Sequence, residues 1–460
     1  MRHQFKFLDM FAGIGGFHHA LAELGGVCVL ACELDSEARN VYQKTFEEAE
    51  NPGIIVENIR DLTRADPANE MSLLSREEVR RRVPDHDLLC AGFPCQPFSK
   101  SGGQQGVRDK TRGTLFHDLL QIIDAKQPTY IFLENVRNLA GPRHVDTWHT
   151  IVSSLQELGY QLSAEPLIFS PHLLSPEMGG APQVRERVFI LGVRNDKSNG
   201  QLKNILDFHR DLNEKVFWNP DQWKIFHYLD ADHLISDLPD YEISENESMY
   251  LEAWDYFVAN LSQDLLPGFP IWAFAFRNSP ALEDGMPAWE SGFLIKNSHF
   301  YLENRGFIDS WTKMKWGKSR LTVAEFPVSR QKFEWQARKH HPGKTGRTLK
   351  DLVIQFRPSG IRVKPPTYLP ALVAITQTSV VGPLLRKGSD RYRKLTPIEA
   401  ARLQGVPDAV YSRGTVTARA AYKQLGNAVN VGLVRKVAEI LMGCSTANES
   451  RQSEMSFVAR

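Results

Sequence analysis

The sequence predicts an α/β protein: a doubly wound, mostly parallel sheet accompanied by a second, smaller and irregular domain. Two observations carry this reading. Over residues 1–199, short apolar runs alternate with stretches whose apolar residues fall at helical spacing. From 200 to 385 the alternation stops, and Trp, Phe, Pro and Gly accumulate without a sustained period.

The strands are expected, in order, at "FKFLDM" (5–10), "VCVLACEL" (27–34), "DLLCA" (87–91), "YIFLE" (130–134), "LSAEPLIF" (162–169) and "RVFILGV" (187–193). Most are apolar throughout, as strands covered on both faces should be. The last two follow a helix ending in "QELGY" and can pair as an antiparallel hairpin. "GGFHHALAEL" and "TLFHDLLQIIDA" supply helices between the strands. Beyond the irregular region, "LTPIEAARLQGV" begins with Thr396 and Pro397 and has Glu399 three residues after the threonine, a capping box that opens a short helix. A last helix, "NVGLVRKVAEILMG", should stop at Gly443, and the tail after it is polar. The chain thus divides into a first domain at 1–199, a second at 200–385 and a return segment at 386–460.

With 42% hydrophobic residues in 460, the chain can bury a sizeable core. A net charge of +1 points to no polyanionic partner, but the charges are unevenly spread. "RQKFEWQARKHHPGKTGRTLK" (330–350) has Glu334 as its single acid, "RKGSDRYRK" (386–394) is similar, and 237–255 is acidic. Such asymmetry suits a face presented to phosphates, and it equally suits two solvated loops. No apolar run approaches the ~20 residues of a spanning helix, so a cytoplasmic protein without a membrane partner is expected. The five cysteines are scattered and odd in number, which favours reduced thiols. Cys28 and Cys32 lack a second ligand pair, so no metal site is expected from them.

Several segments carry chemistry. In "FLDMFAGIGGF", Gly13, Gly15 and Gly16 follow the first strand, where missing side chains let the backbone approach a nucleotide-like ligand. Glu33 closes the second strand, where a carboxylate can take both hydroxyls of a ribose. A nicotinamide enzyme and an S-adenosylmethionine enzyme both satisfy this pattern, as does a plain tight turn. Cys95 comes shortly after the "DLLCA" strand, between Pro94 and Pro97, and is followed by the glycine-rich "SKSGGQQG". It reads as a nucleophile beside a hinged flap or as a buried packing residue. Cys90, inside the strand, is core. "YIFLENV" brings Glu134 and Asn135 to another strand end, where a carboxyl group can protonate or hydrogen-bond a substrate. "PQVRERVF" sets Gln183, Arg185 and Arg187 at alternate positions, on one face of an extended segment. Taken singly, each of these also fits a surface salt bridge.

In order, "DMFAGIGGF", "ELD", "GFPCQPFS", "RGTLF", "ENV", "QVRER", "LTPIEAARLQGVPD" and "YKQLGNAVNV" resemble the cytosine-C5 DNA methyltransferases of bacterial restriction-modification systems, over nearly all of the chain outside 200–385. The resemblance implies a Rossmann-like, S-adenosylmethionine-dependent methyltransferase sheet with a target-recognition domain, double-stranded DNA bound in the cleft between them, and a monomer whose genetic partner is a cognate restriction endonuclease. It implies Cys95 as nucleophile on a flipped-out cytosine, Glu134 on the N3 edge, Arg185 facing the base carbonyl and Glu134, and Arg187 in support. It implies S-adenosylmethionine contacts from Asp9, Phe11, Gly13, Gly15, Gly16, Glu33, Leu34, Asn58, Ile59, Phe93, Pro94, Asn427 and Ala428. DNA contacts would come from Gln96 and Ser99, in a lid running to about Gly113. Arg338, Lys339, Arg362 and Lys364 of the irregular domain would add others, since cations of that kind reach phosphates and guanine edges. Two positions depart from the family: Leu34 stands where an aromatic residue usually stacks on adenine, and Asn58 where an aspartate is usual. The "CFT" tripeptide of tRNA-specific relatives is absent. An oxidoreductase would need no Pro-Cys loop, and a catalytically dead scaffold would not need Cys95, Glu134, Arg185 and Arg187 together.

Overall fold

The structure, a computed structural model, describes residues 4–47, 54–94, 114–372, 378–384, 391–412 and 416–443. These residues divide into two units, one drawn from Met1–Pro220, Ala371–Thr376 and Ala400–Arg460, the other from Asp221–Pro370 and Gln377–Glu399.

The first unit is built on β1 (Phe5–Met10), β2 (Gly26–Cys32), β3 (Ile55–Val56), β4 (Leu88–Gly92), β5 (Tyr130–Val136), β6 (Tyr160–Leu162), β7 (Leu167–Phe169) and, after the two-residue β8 (Gln183–Val184), β9 (Arg187–Arg194). The sheet runs β3-β2-β1-β4-β5-β9-β6, with β7 also paired to β9. β1 to β5 are mutually parallel, and β9 is antiparallel to β5, β6 and β7. The strand order reverses at β1, between β2 and β4. That is the switch point where open α/β sheets leave a crevice at their carboxyl ends.

Alternating side chains of these strands feed two cores. Phe7, Cys90 and Phe132 face one layer, with Phe17 and Leu21 of the helix Gly16–Glu23 (α1), Ile205, Phe208 and Leu212 of helix Gln201–Asn213, and Val434, Val437 and Leu441 of helix Val431–Met442. Leu8, Met10, Leu89 and Ile131 face the other, with Leu119 and Ile123 of helix Leu115–Lys126 and Ile151 and Leu155 of helix Val145–Glu157. The uniform apolarity of the strands thus reflects cover on both sides.

The second unit has a sheet in which β10 (Ile271–Trp272), β11 (Lys332–Trp335), β13 (Gly360–Lys364), β12 (Val353–Arg357) and the two-residue strand Val380–Val381 lie side by side in that order. Its core is aromatic. Trp254, on helix Glu245–Asn260, stacks on Phe333 at 4.6 Å, and Trp311 packs 5.0 Å from Trp254. Both buried indoles are satisfied, Trp254 Nε1 donating to the Arg330 carbonyl and Trp311 Nε1 to that of Ala253.

Three expectations change. The run 162–169 is two short strands, because "SAEP" between them is polar and ends in a proline that cannot donate to a ladder. β2 ends at Cys32, so Glu33 and Leu34 lie just past the strand. The boundary expected after 199 falls near Pro220, because helix Gln201–Asn213 buries Ile205, Phe208 and Leu212 in the first unit. Other expectations hold: Thr396 and Glu399 exchange backbone-to-side-chain hydrogen bonds as a capping box, and the last helix stops at Gly443 with φ +66°. Cys90 is fully buried.

Candidate active site

At the end of β1 the chain turns through Phe11 and Gly13, both at φ +57°, and Gly15 at φ +84°. The Gly13 amide donates to Glu33 Oε2 at 2.8 Å, and the Asp35 amide donates to Oε1 at 2.7 Å. Arg39 ties down the carbonyl of Glu33 at 2.7 Å. The carboxylate just past β2 is therefore locked against the glycine turn. It keeps lone pairs free, because each oxygen has used one of about two acceptor sites.

The three glycines serve different ends. A Cβ on Gly13 would meet nothing within 4 Å, whereas one on Gly15 would sit 2.2 Å from the Phe46 ring and one on Gly16 2.6 Å from Val429 Cγ2. Gly15 and Gly16 thus admit side chains of the protein itself, and Gly13 leaves open space.

That space belongs to a cavity of about 450 Å³ at the carboxyl edge of the sheet. Phe11, Gly13 and Gly16 form one wall, Glu33, Leu34, Asn58 and Ile59 a second, and Asn427 with Ala428 a third. Phe93, Pro94, Glu134 and Arg187 line it as well. Leu34 is 64% exposed at the rim. Asn58 Oδ1 accepts from the Arg60 amide at 3.0 Å, which holds its carboxamide in place. Asn135, whose role the sequence left open, donates from Nδ2 to the Phe93 carbonyl at 2.9 Å and so fixes the backbone that leads into Pro94.

Glu134 comes from β5 and Arg187 from the first position of the neighbouring antiparallel β9, where it stands opposite Val136. Arg187 Nε lies 2.8 Å from Glu134 Oε1. Burial raises the Glu134 carboxyl above the ordinary carboxylate range, and the charges of Arg187 and Arg185 oppose this without cancelling it.

Arg185 departs from the expected role. The chain leaves the strand between Val184 and Arg187, so Arg185 and Arg187 diverge. Arg185 is 1% exposed and donates to the carbonyls of Leu372, Gly426 and Ala428 at 3.0, 2.8 and 2.6 Å. Burial pulls its guanidinium down to about 9, so it stays charged at neutral pH. Arg187, not Arg185, meets Glu134, and Gln183 is buried where it accepts from Gln404. Asp9 and Gly15 also fall away from the cavity. Asp9 is fully buried, neither of its oxygens receives a hydrogen bond of normal geometry, and burial pushes its carboxyl well up. Cys95, Gln96 and Ser99 lie outside the described residues.

A family model for the C-5 cytosine-specific DNA methylases matches residues 5–442. The chain belongs to that family. The methylase is 37% identical to the Type II methyltransferase M.AluI of Cellulosimicrobium cellulans, a match covering 94% of this chain and 91% of the relative. It is 31% identical to the Type II methyltransferase M.BanI of Aneurinibacillus aneurinilyticus, over 95% of each. In fold it resembles the Dnmt2 methyltransferase of S. pombe, with a TM-score of 0.51 at 16% identity over 95% of this chain and 98% of that one.

The methylase also shows features that the sequence reading missed. Lys423 Nζ pairs with Asp35 Oδ2 at 2.7 Å, and both residues line the cavity. The signal lay in "YKQLGNAVNV", whose lysine falls one helical turn before Asn427. In the second unit, Arg338, Lys339 and Lys364 line a cavity of about 570 Å³ together with Trp335, Gln336 and His340. Lys339 pairs with Asp221 at 2.8 Å, and Lys364 lies over the Tyr368 ring at 5.0 Å. Arg362 is not part of that cavity: Glu334 holds it at 3.0 Å and Arg357 at 2.6 Å. No helix among the described residues is long and apolar enough to cross a membrane.

Proposed function

We propose that the methylase transfers a methyl group from S-adenosylmethionine to C5 of a cytosine flipped out of double-stranded DNA, at a specific short sequence, through a covalent Cys95–C6 adduct. The observation that carries this is a single cavity with two kinds of wall. The glycine turn with Glu33 offers a nucleoside-binding side, and the Glu134–Arg187 pair offers an acid–base side.

The residues present fit the cofactor. Gly13 leaves space where a side chain would intrude, and Glu33 has spare lone pairs for a ribose diol. Leu34 and Ile59 would face the adenine, with Asn58 and Asn427 as polar neighbours. S-adenosylmethionine would supply an electrophilic methyl group on a sulfonium sulfur. The chain does the rest. Cys95, next in sequence after Pro94, adds as a thiolate to C6 and makes C5 nucleophilic. Glu134 donates a proton or hydrogen bond at N3, a role its raised pKa favours. Arg187 holds that carboxyl and faces the base carbonyl. Loss of the C5 proton and elimination of the thiolate then release 5-methylcytosine. A flipped base is needed because a stacked one cannot reach the cavity, at a cost of roughly a few kcal/mol. The similarity to Type II methyltransferases supports a role as the modification half of a restriction-modification system.

Expression in a host without cytosine methylation, followed by bisulfite sequencing, tests activity and recognition sequence together. Cys95→Ala should abolish methylation; appreciable methylation by that variant would end the mechanism. DNA containing 5-fluorocytosine should trap wild type covalently and leave Cys95→Ala free, since fluorine cannot depart as the proton does.

A further inference from the structure

The second unit contains a cluster that methyl transfer does not use. Between β11 and β12 the chain makes a long excursion, and His340, His341 and Asp351 converge there. His340 Nε2 lies 2.6 Å from Asp351 Oδ2, and His341 Nε2 lies 3.1 Å from Asp351 Oδ1. All three ligand atoms fall within 4.8 Å of one another.

The geometry points to a site for one divalent transition metal ion of the zinc class, which we propose as a staple for this excursion. Two imidazoles and one carboxylate form a borderline donor set that suits zinc and its neighbours better than magnesium or calcium. Tetrahedral zinc with bonds of about 2.0–2.2 Å sets its ligand atoms roughly 3.3 Å apart. The two nitrogen–oxygen separations, 2.6 and 3.1 Å to different oxygens of Asp351, are hydrogen-bond distances shorter than this, so the ion would enter as the carboxylate turns one oxygen toward both rings. The rings are held in place. The amides of both histidines donate to the Ala337 carbonyl, and the His341 ring packs 5.9 Å from Trp335.

A staple would have a definite effect here. The later limb of the excursion is anchored without metal: buried Arg347 donates to the carbonyls of Leu261 and Gln263, and Asp255 accepts from Thr348 and the Leu349 amide. The earlier limb carries Arg338 and Lys339 at the cavity of about 570 Å³, and His340 lines that cavity too. An ion held by His340, His341 and Asp351 would tie this cationic limb to the anchored one. Three protein ligands leave one tetrahedral position for a ligand from solvent.

The test uses the full-length, untagged protein, stripped with a chelator and titrated with Zn²⁺ against a chromophoric competitor. One ion should bind per chain. Asp351→Asn and His340→Gln should each weaken binding by at least about tenfold, the smallest loss seen even when a residue behind a ligand is removed. Co²⁺ should give the visible absorption of a tetrahedral nitrogen–oxygen site in wild type and not in the variants. Since His340 is partly exposed, His340→Gln should fold even if Asp351→Asn does not. The proposal is overturned if wild type takes up no stoichiometric ion, or if both variants bind as wild type does, in which case the ion sits on thiols elsewhere. Methyl transfer is not the readout, so this result and the proposed reaction can fail separately.

Discussion

Two arginines two positions apart, Arg185 and Arg187, illustrate how sharply neighbouring side chains can differ in what they support. Arg185 satisfies three backbone carbonyls in a fully buried setting. Each unsatisfied buried acceptor costs ~1–3 kcal/mol, so Arg185→Leu should lose about 3 kcal/mol or more in urea unfolding. Arg187→Leu should lose less stability and at least about 10²-fold in kcat, the scale of removing one preorganised charge-stabilising group. Equal stability losses would show that the division drawn here is wrong. Glu134 invites a second experiment. If its acid form donates at N3 as proposed, then, because burial raises its pKa, kcat should fall on the alkaline side as pH rises through that raised value. Thiolate formation at Cys95 works in the opposite direction, giving a bell-shaped profile. Glu134→Gln should lower kcat by about 10²–10⁴-fold and remove the alkaline decline; a decline that persists would assign that limb elsewhere. Glu134 was legible in the sequence because it is the first charged residue after the apolar run Tyr130–Leu133, near the carboxyl end of β5. The roles of Arg185 and Arg187 were not, because alternation implies a shared face only while the strand continues, and here it breaks between them.

At the level of elements, the site depends on how tightly the glycine turn and α1 pack against the returning chain. A Cβ on Gly16 would come within 2.6 Å of Val429 Cγ2 and 3.3 Å of the Val429 carbonyl oxygen. Gly16→Ala should therefore destabilise by ~1–3 kcal/mol, the usual scale of overpacking. Val429→Ala in the same chain should recover part of that loss, and a double-mutant cycle in denaturant would measure the coupling. Strict additivity would mean that the two residues do not press on each other. The strands beside this turn were readable because each carries an apolar run, Leu88–Ala91 in β4, Tyr130–Leu133 in β5 and Val188–Val193 in β9, closed by Gly92, Glu134 and Arg194. What escaped was set by shorter range. β6 and β7 have three residues each, too few for a period. Among the described residues of the second unit no sheet strand exceeds five residues, and several connections are single 3-10 turns, so the core is marked by aromatic packing rather than periodicity. Helix Gln201–Asn213 escaped for a different reason: Ile205, Phe208 and Leu212, at spacings of three and four, form an apolar stripe that was hidden by taking everything after residue 200 as irregular.

For the molecule as a whole, the puzzle is how a chain of net charge +1 binds a polyanion. The structure narrows the answer, because many of its cations are already spent. Arg357 and Arg362 are held by Glu334, Arg185 by carbonyls, and Arg393 by Asp232 and Glu399. Arg338, Lys339 and Lys364 instead border an open cavity, Lys339 in an exposed pair with Asp221 and Lys364 over the Tyr368 ring. An exposed pair of that kind contributes little and exchanges readily for a phosphate. If Arg338 and Lys339 meet the DNA backbone, each contributes one released counterion, and log K falls with log salt by about 0.9 per phosphate neutralised. Arg338→Ala with Lys339→Ala should then flatten the salt slope by about two and weaken cognate and non-cognate duplexes nearly alike. Arg362→Ala should leave the slope unchanged, since its guanidinium is committed within the sheet. Binding measured by fluorescence anisotropy over a series of salt concentrations distinguishes these outcomes. If the double variant instead loses discrimination between cognate and non-cognate DNA at constant slope, those side chains read base edges rather than phosphates, and the cavity they border reads sequence.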